Sequence, residues 1–205
     1  MSPSLSSPRI AIIGAGIIGL SCAWELAKRG AHVTLFDSGF YPGRGASWAA
    51  AGMLAPAYEA AAEPGVNPRL FDLCLKSARQ WIDMSGAIAA VTRRDVLHSI
   101  GPSLAVAQTA EDRIQLAGLA KALTARKIAF DVLSPDEAVQ AEPCLRVGNK
   151  GALRLPTDGQ VDNRLLVEAL IRALESQERV AFVTGTAPLA LVQGKIVLDG
   201  FDRVI

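Results

Sequence analysis

Paired cysteines are missing from this sequence. The three present, Cys22, Cys74 and Cys144, are scattered and odd in number, which leaves neither a disulfide framework nor metal-ligand spacing. They read as ordinary thiols of a reducing compartment. A charge surplus is missing too: 21 basic residues face 20 acidic ones, for a formal net charge of +1, so nothing favours nucleic acid or an anionic membrane as a partner. The only histidines, His32 and His98, each fall in what reads as a strand without a partner pattern, which favours a structural over a catalytic role. Residues 1–8 form a Ser/Pro stretch without a basic n-region, expected to be a disordered tail rather than a signal peptide. Ile10 to Ala27 is apolar overall, but its glycines and Glu25 make it a poor membrane span. No internal repeat is visible. A chain of 205 residues, half of them hydrophobic, can build one large domain or two small ones and reads as soluble and cytoplasmic.

What is present begins at Arg9. Arg9-Ile-Ala-Ile-Ile13 has the small, β-branched pattern of a strand buried on both faces. Gly14-Ala-Gly-Ile17-Ile18-Gly19 follows at once, Leu20 to Arg29 reads as a helix, and Gly30 stands where a helix end favours positive φ. His32-Val-Thr-Leu-Phe36 reads as a second strand with Asp37 at its end. In such a βαβ unit Gly14 permits the tight turn, Gly16 lets the backbone approach a pyrophosphate, and Gly19 lets the helix pack on the sheet. The helix N-terminus offers N–H groups and a positive dipole end to the phosphates. Asp37, eighteen residues past Gly19, stands where a carboxylate accepts from ribose hydroxyls; a phosphorylated ribose would clash with it, which disfavours NADP. A bare GxGxxG is often only a glycine-rich turn. Strand, helix, second strand and terminal acid in order argue against that, although the motif alone does not separate FAD from NAD.

Phe40-Tyr-Pro-Gly-Arg-Gly45 has loop composition and runs into the small-residue stretch Ala46-Ser-Trp-Ala-Ala-Ala-Gly-Met-Leu-Ala-Pro56. By composition alone an alanine-rich helix covering the sheet is the better explanation than a backbone packed against a flat ligand. Read together with the glycine loop, however, Gly45 to Pro56 resembles the FAD-dependent D-amino-acid oxidase superfamily, and most of all the glycine oxidases of thiamine biosynthesis. Gly151-Ala-Leu-Arg-Leu-Pro-Thr-Asp-Gly-Gln-Val-Asp162 followed by Leu165-Leu-Val-Glu-Ala-Leu170 agrees, and Ser99 to Ala107 fits less sharply. The resemblance runs from Arg9 to Ile205.

The resemblance implies FAD as cofactor. Gly14, Gly16 and Gly19, with Ile17 and Ile18 between them, would serve the pyrophosphate, and Asp37 the adenosine ribose, where the family more often has glutamate. Ser38 and Arg44 would lie along the ADP portion. Ser47, Ala50, Ala51, Gly52 and Met53 would run beside the flavin ring, with backbone amides tuning its electron affinity. The segment at Pro188 would meet the adenine. By itself Arg44 reads as a solvated loop charge. No catalytic side chain and no metal ligand is assigned. The arginine that pairs with a substrate carboxylate in such enzymes, and a nearby tyrosine, would come from a C-terminal portion that this sequence does not contain.

The rest of the chain supplies landmarks. Residues 68–91 read as a long helix with Leu70, Leu73, Ala78, Trp81 and Ile82 roughly on one face, and Trp81 as core rather than a binding platform. Thr109-Ala-Glu-Asp112 resembles a capping box for a helix to about residue 127, and Ser134-Pro-Asp-Glu137 repeats that start signal. Asp162 caps a helix over 163–176; the family usually has proline where Asn163 stands. Strands follow at 180–183, 190–192, 195–198 and 202–205.

The expected fold class is α/β: a Rossmann-like FAD-binding domain over 9–82 and 146–205, incomplete, with part of an antiparallel-sheet substrate domain over 83–145. The implied activity is oxidation of the C–N bond of glycine or a similar small amino acid or amine, with oxygen as acceptor, in a cytoplasmic enzyme that is homo-oligomeric when intact. Two alternatives stand beside it. One is a D-amino-acid or sarcosine-type oxidase or dehydrogenase. The other is a truncated, catalytically silent nucleotide-binding fragment, whose open sheet edge would favour aggregation or dimerisation.

Overall fold

The computed structural model describes residues 7–39, 42–58, 68–145 and 148–205. The expected tail through residue 6, residues 40–41 of the expected loop and the expected boundary at 146 lie outside them. The chain forms two compact units. The first comprises Met1–Ala51, Ser85–Val96 and Asp162–Ile205, and the second Gly52–Met84 and Leu97–Val161. This division falls at other positions than the expected boundaries at 82 and 146.

The first unit is built on a parallel sheet. Strands β1 (Arg9–Ile13) and β2 (His32–Asp37) are joined by helix α1 (Ile17–Lys28). Strands β9 (Val180–Thr184) and β12 (Arg203–Val204) complete the order β12-β1-β2-β9, and a short helix α2 (Ala46–Ala49) belongs to the same unit. Every pairing is parallel, with Ile10 opposite Val33 and Leu35 opposite Phe182. Ile10, Ala11 and Ile12 are all buried, as a strand covered on both faces requires. Helix α6 (Asn163–Glu175) buries Leu166, Val167, Ala169, Leu170, Ala173 and Leu174 and packs against α1, whose Leu20, Ala23, Trp24 and Ala27 are buried. Each leucine so buried contributes about 1.5–3 kcal/mol, which makes α6 a firm reference for what is attached to it. Strands β10 (Ala190–Val192) and β11 (Lys195–Val197) form a separate antiparallel pair.

The second unit holds two three-stranded antiparallel sheets. One has the order β3 (Met53–Leu54), β8 (Gly159–Gln160), β4 (Ser99–Ile100), and the other β5 (Ser103–Val106), β7 (Ala152–Leu155), β6 (Asp131–Leu133). Leu153 and Leu155 of β7 pack with Leu119 and Leu123 of helix α4 (Ala110–Ala125). Both expected capping boxes form. Thr109 Oγ1 accepts from the Asp112 N–H at 3.1 Å while Asp112 accepts from the Thr109 N–H at 2.8 Å. Ser134 and Glu137 repeat the exchange ahead of helix α5 (Pro135–Ala141). These N–H donors hold both exposed carboxyls below their ordinary values.

Helix α3 (Pro68–Thr92) corrects the expected face. Leu70, Leu73 and Ile82 are exposed, while Phe71 and Ile88 are fully buried. Phe71, one residue and about 100° from Leu70, lies inside with the Arg126 guanidinium 4.4 Å from its ring centre, while Ala78 and Trp81 of the expected face are half-buried. Trp81 is half-buried, its ring 5.7 Å from that of His98, so the histidine packs on an aromatic face. Among the described residues no helix is long and apolar enough to cross a membrane.

Asp158, in the turn between β7 and β8, is the one charged residue buried among the described residues, at 2% exposed. The Ser103 hydroxyl donates to its Oδ2, while Oδ1 is buried without a partner. Burial pushes its carboxyl above the ordinary 3.8, and the Ser103 hydrogen bond opposes that only in part. A raised folded-state pKa means the folded chain binds the proton more tightly than the unfolded chain. The stability this group contributes is therefore whole below 3.8 and is lost as pH rises through the raised value. In urea titrations from pH 4 to pH 8, the wild type is expected to lose midpoint relative to Asp158→Asn, which stays neutral throughout; parallel curves would show that Asp158 is no such source of pH dependence.

Candidate functional site

The turn between β1 and α1 is held from several sides. The Gly14 N–H donates to the Phe36 carbonyl at 2.7 Å, tying the turn to the end of β2. Asp37 continues that attachment: its Oδ2 accepts from the Ala15 N–H at 2.6 Å and its Oδ1 from the Gly39 N–H at 2.8 Å. Gly14 lies at φ +102°, a conformation that side chains resist. Gly19 is fixed by contact instead. A Cβ built there would lie 1.9 Å from the Gly14 carbonyl oxygen, so only glycine lets α1 start this close to the turn.

Gly16 is the N-cap of α1, and no side chain caps the helix from that position. The first-turn N–H groups have no partner within the helix. One of them, Ile17 N–H, donates to Ser47 Oγ at 2.8 Å. A hydroxyl that accepts in this way retains its own proton for another acceptor. Gly14, Gly16, Ile17, Ile18, Gly19, Ser47 and Ala50 line one cleft of about 500 Å³, with Cys22, Ala46 and Ile205. Its walls are mainly apolar side chains, and the helix N-terminus supplies the N–H groups. Such a site suits an anionic group presented with a flat or apolar body. The residues fit a dinucleotide: a glycine turn with positive φ at Gly14 and no room for a Cβ at Gly19, a helix start with no N-cap side chain, and a carboxylate at the end of β2.

The other expected site residues are placed as follows. Ser38 is exposed beside Asp37. Ser47, expected along a flavin ring, has its hydroxyl at the helix start. Ala51 is exposed and outside the cleft lining. The Arg44 guanidinium lies 3.5 Å from the centre of the Trp48 ring rather than in the cleft lining. Pro188 is exposed in the link between β9 and β10, after Ala187, which packs with Ala11 and Leu198. Gly52 and Met53 belong to the second unit, where Met53 pairs with Gln160. Sequence reasoning missed the attachments of Asn163 and Arg164 to the carbonyls of Ser47 and Trp48, because the partners are more than a hundred residues apart. The only sequence signal was a polar residue at a position where the family resemblance leads one to expect proline.

A larger groove of about 780 Å³ lies in the second unit, lined by α4, β6, β7 and the start of α5. It contains none of the expected site residues, and the converging N–H donors favour the smaller cleft. Among the described residues no group of three His, Cys, Asp or Glu side chains is placed to hold a metal.

Residues 9–205 match the model of a family described as FAD dependent oxidoreductase. Among solved structures, the chain is similar to glycine oxidase from Geobacillus kaustophilus, at 29% identity and a TM-score of 0.82, covering 94% of this chain and 52% of that one. It is similar to iminodiacetate oxidase from Chelativorans sp., at 27% identity and a TM-score of 0.73, covering 92% and 50%. The fold is shared with FAD-bound L-α-glycerophosphate oxidase from Mycoplasma pneumoniae, at 20% identity and a TM-score of 0.74, covering 98% and 53%. The chain thus spans about half the length of these proteins.

The close approach at Gly19 gives a direct test. Gly19→Ala is expected to lower stability by about 1–3 kcal/mol, because the obstructing atom is backbone and cannot rotate away. Gly118→Ala, in α4 with open space around the added carbon, is expected to gain about 0.5–1 kcal/mol from helix propensity. Thermal unfolding of both variants checks the contrast; equal effects would remove the packing argument.

Proposed function

The chain belongs to the FAD-dependent oxidoreductase family, and from that premise we propose that it is the cofactor-binding part of an oxidase acting on the C–N bond of glycine or a similar small amino acid or amine. The glycine turn packed against the uncapped start of α1 carries the cofactor half of this reading. The likeness to a glycine oxidase at 29% identity supports the substrate half. Iminodiacetate oxidase at 27% identity favours, as a second reading, a secondary amine such as sarcosine or iminodiacetate.

In this reading Gly14, Gly16 and Gly19 let the pyrophosphate approach the backbone, with the N-terminal dipole of α1 offsetting its charge. Ser47 donates its remaining hydroxyl proton to a phosphate oxygen while accepting from Ile17. Asp37 has a spare lone pair on each carboxylate oxygen beyond those facing Ala15 and Gly39, and these accept from the ribose hydroxyls. Ser38 and Arg44 lie along the same portion, Ala50 and Ala51 follow the flavin, and Pro188 stands toward the adenine. Bound FAD would supply the redox chemistry, accepting a hydride from the substrate α-carbon and passing the electrons to oxygen. The side chains here place and orient; proton transfer is not assigned to any of them. A small amino-acid substrate, oxygen as acceptor, a cytoplasmic setting, assembly as a homo-oligomer and a role in forming the thiamine thiazole belong to the same reading.

The test is the visible absorption spectrum of the 205-residue chain purified with excess FAD and desalted. Retained flavin bands are the expected outcome, and Asp37→Ala is expected to weaken retention by about tenfold, the scale of one hydrogen bond to a charged group. A soluble chain that emerges colourless would overturn the cofactor half. Peroxide release with glycine, sarcosine, iminodiacetate and D-alanine, measured on the full-length enzyme, then separates the substrate readings.

A further inference from the structure

The geometry points to Asn163 as a positioning residue: its side-chain amide holds the α2 turn so that the Ser47 hydroxyl stands at the N-terminus of α1. This rests on the reading of the cleft as an FAD site.

Asn163 is the first residue of α6, yet it does not start that helix. Asp162 does so, accepting from the Arg164 N–H at 3.0 Å and the Leu165 N–H at 2.9 Å. At the first helical position a proline would serve α6 equally well or better. The Asn163 amide is engaged elsewhere. Its Nδ2 donates to the Ser47 carbonyl at 2.7 Å and to the Trp48 carbonyl at 3.0 Å, using both of its protons on consecutive peptide groups. Arg164 Nε adds a donation to the same Trp48 carbonyl at 3.3 Å.

The segment so held has little means of holding itself. Helix α2 is four residues long, one turn with bonds from the Trp48 and Ala49 N–H groups to the Gly45 carbonyl at 3.1 and 3.3 Å. A single turn is unstable alone, because fixing it costs more backbone freedom than its hydrogen bonds return. Its final carbonyls need outside donors, and α6 provides them. Two further contacts fasten the same segment. Trp48 has the Arg44 guanidinium 3.5 Å and the Arg164 guanidinium 5.4 Å from its ring centre. Gly43 passes so near Val167 that an added Cβ would lie 2.2 Å from Cγ1. The segment from Gly43 to Trp48 is therefore strapped to α6, the most deeply anchored helix of its unit. Ser47 faces the other way from this strap, its Oγ 2.8 Å from Ile17 N in the cleft lining. The Asn163 amide is the only one of these attachments that grips Ser47 itself.

Asn163→Pro separates this role from a merely structural one. The ring fits the first helical position, where no intrahelical N–H bond is lost, but it removes both amide donors. The variant is expected to keep the far-UV circular dichroism and thermal midpoint of the wild type within a few degrees. It is expected to weaken FAD binding, read by flavin fluorescence, on the order of tenfold, the scale seen when a ligand-orienting partner is lost. Amide exchange of Ile17, measured without FAD, is expected to quicken as Ser47 drifts from it. Asn163→Ala gives the same deletion without the ring, should the proline variant fold poorly. Unchanged FAD affinity together with unchanged Ile17 exchange would overturn the inference and leave the FAD reading standing. A wild type that binds no FAD would overturn that reading, and Ile17 exchange would still decide whether Asn163 sets Ser47.

Discussion

The close approach of α1 to the turn after β1 is the constraint on which the cofactor unit depends. Less than 2 Å separates the position of a Gly19 Cβ from the Gly14 carbonyl oxygen, so the helix begins almost in contact with the strand it follows. This brings the N–H groups of the first turn to the mouth of the cleft. It also lets the end of β2 reach across: Phe36 and Asp37 both bond the same turn through Gly14 and Ala15. A longer loop would satisfy the chain connection but would move the dipole end away from the place where a phosphate could sit.

Around that turn the supports are of two kinds. The parallel sheet, with Ile10, Ala11, Ile12, Val33 and Leu35 buried, fixes β1 and β2 through area removed from water. The small segment carrying Ser47 has no such area of its own. It depends on hydrogen bonds and cation–aromatic contacts from α6, which is itself held by buried leucines. Burial is non-directional and sets where elements lie, whereas the amide and guanidinium donors set how a short turn is oriented. A site that must orient a hydroxyl to within a few tenths of an ångström needs the second kind.

Much of this was legible along the chain. The βαβ unit, its glycines and Asp37 stand within thirty residues, and their geometry follows from local rules: glycine where φ is positive or a Cβ would collide, and a carboxylate at a strand end. The capping boxes at Thr109 and Ser134 and the cap at Asp162 were readable for the same reason, since donor and acceptor are three residues apart. The family resemblance added the FAD assignment, which the motif alone left open against NAD. Less legible were properties decided by distant partners. On α3, Leu70, Leu73 and Ile82 are exposed while Phe71 and Ile88 are buried, because an amphipathic pattern gives a period and only the neighbours decide which residues are covered.

The sequence by itself determined the local chemistry of this protein: which segments turn, which start helices, and where only glycine fits. Those choices of turn, helix start and glycine are made by φ, ψ and contacts a few residues long. Only the tertiary structure decided that Asn163 would reach back to Ser47 and Trp48, that Arg44 would cover an indole face, and that Asp158 would be buried with one oxygen unpartnered. Each joins positions between 4 and 116 residues apart. Except for the short Arg44–Trp48 contact, no window of sequence contains both partners, and even there the contact waits on α6 to hold the turn.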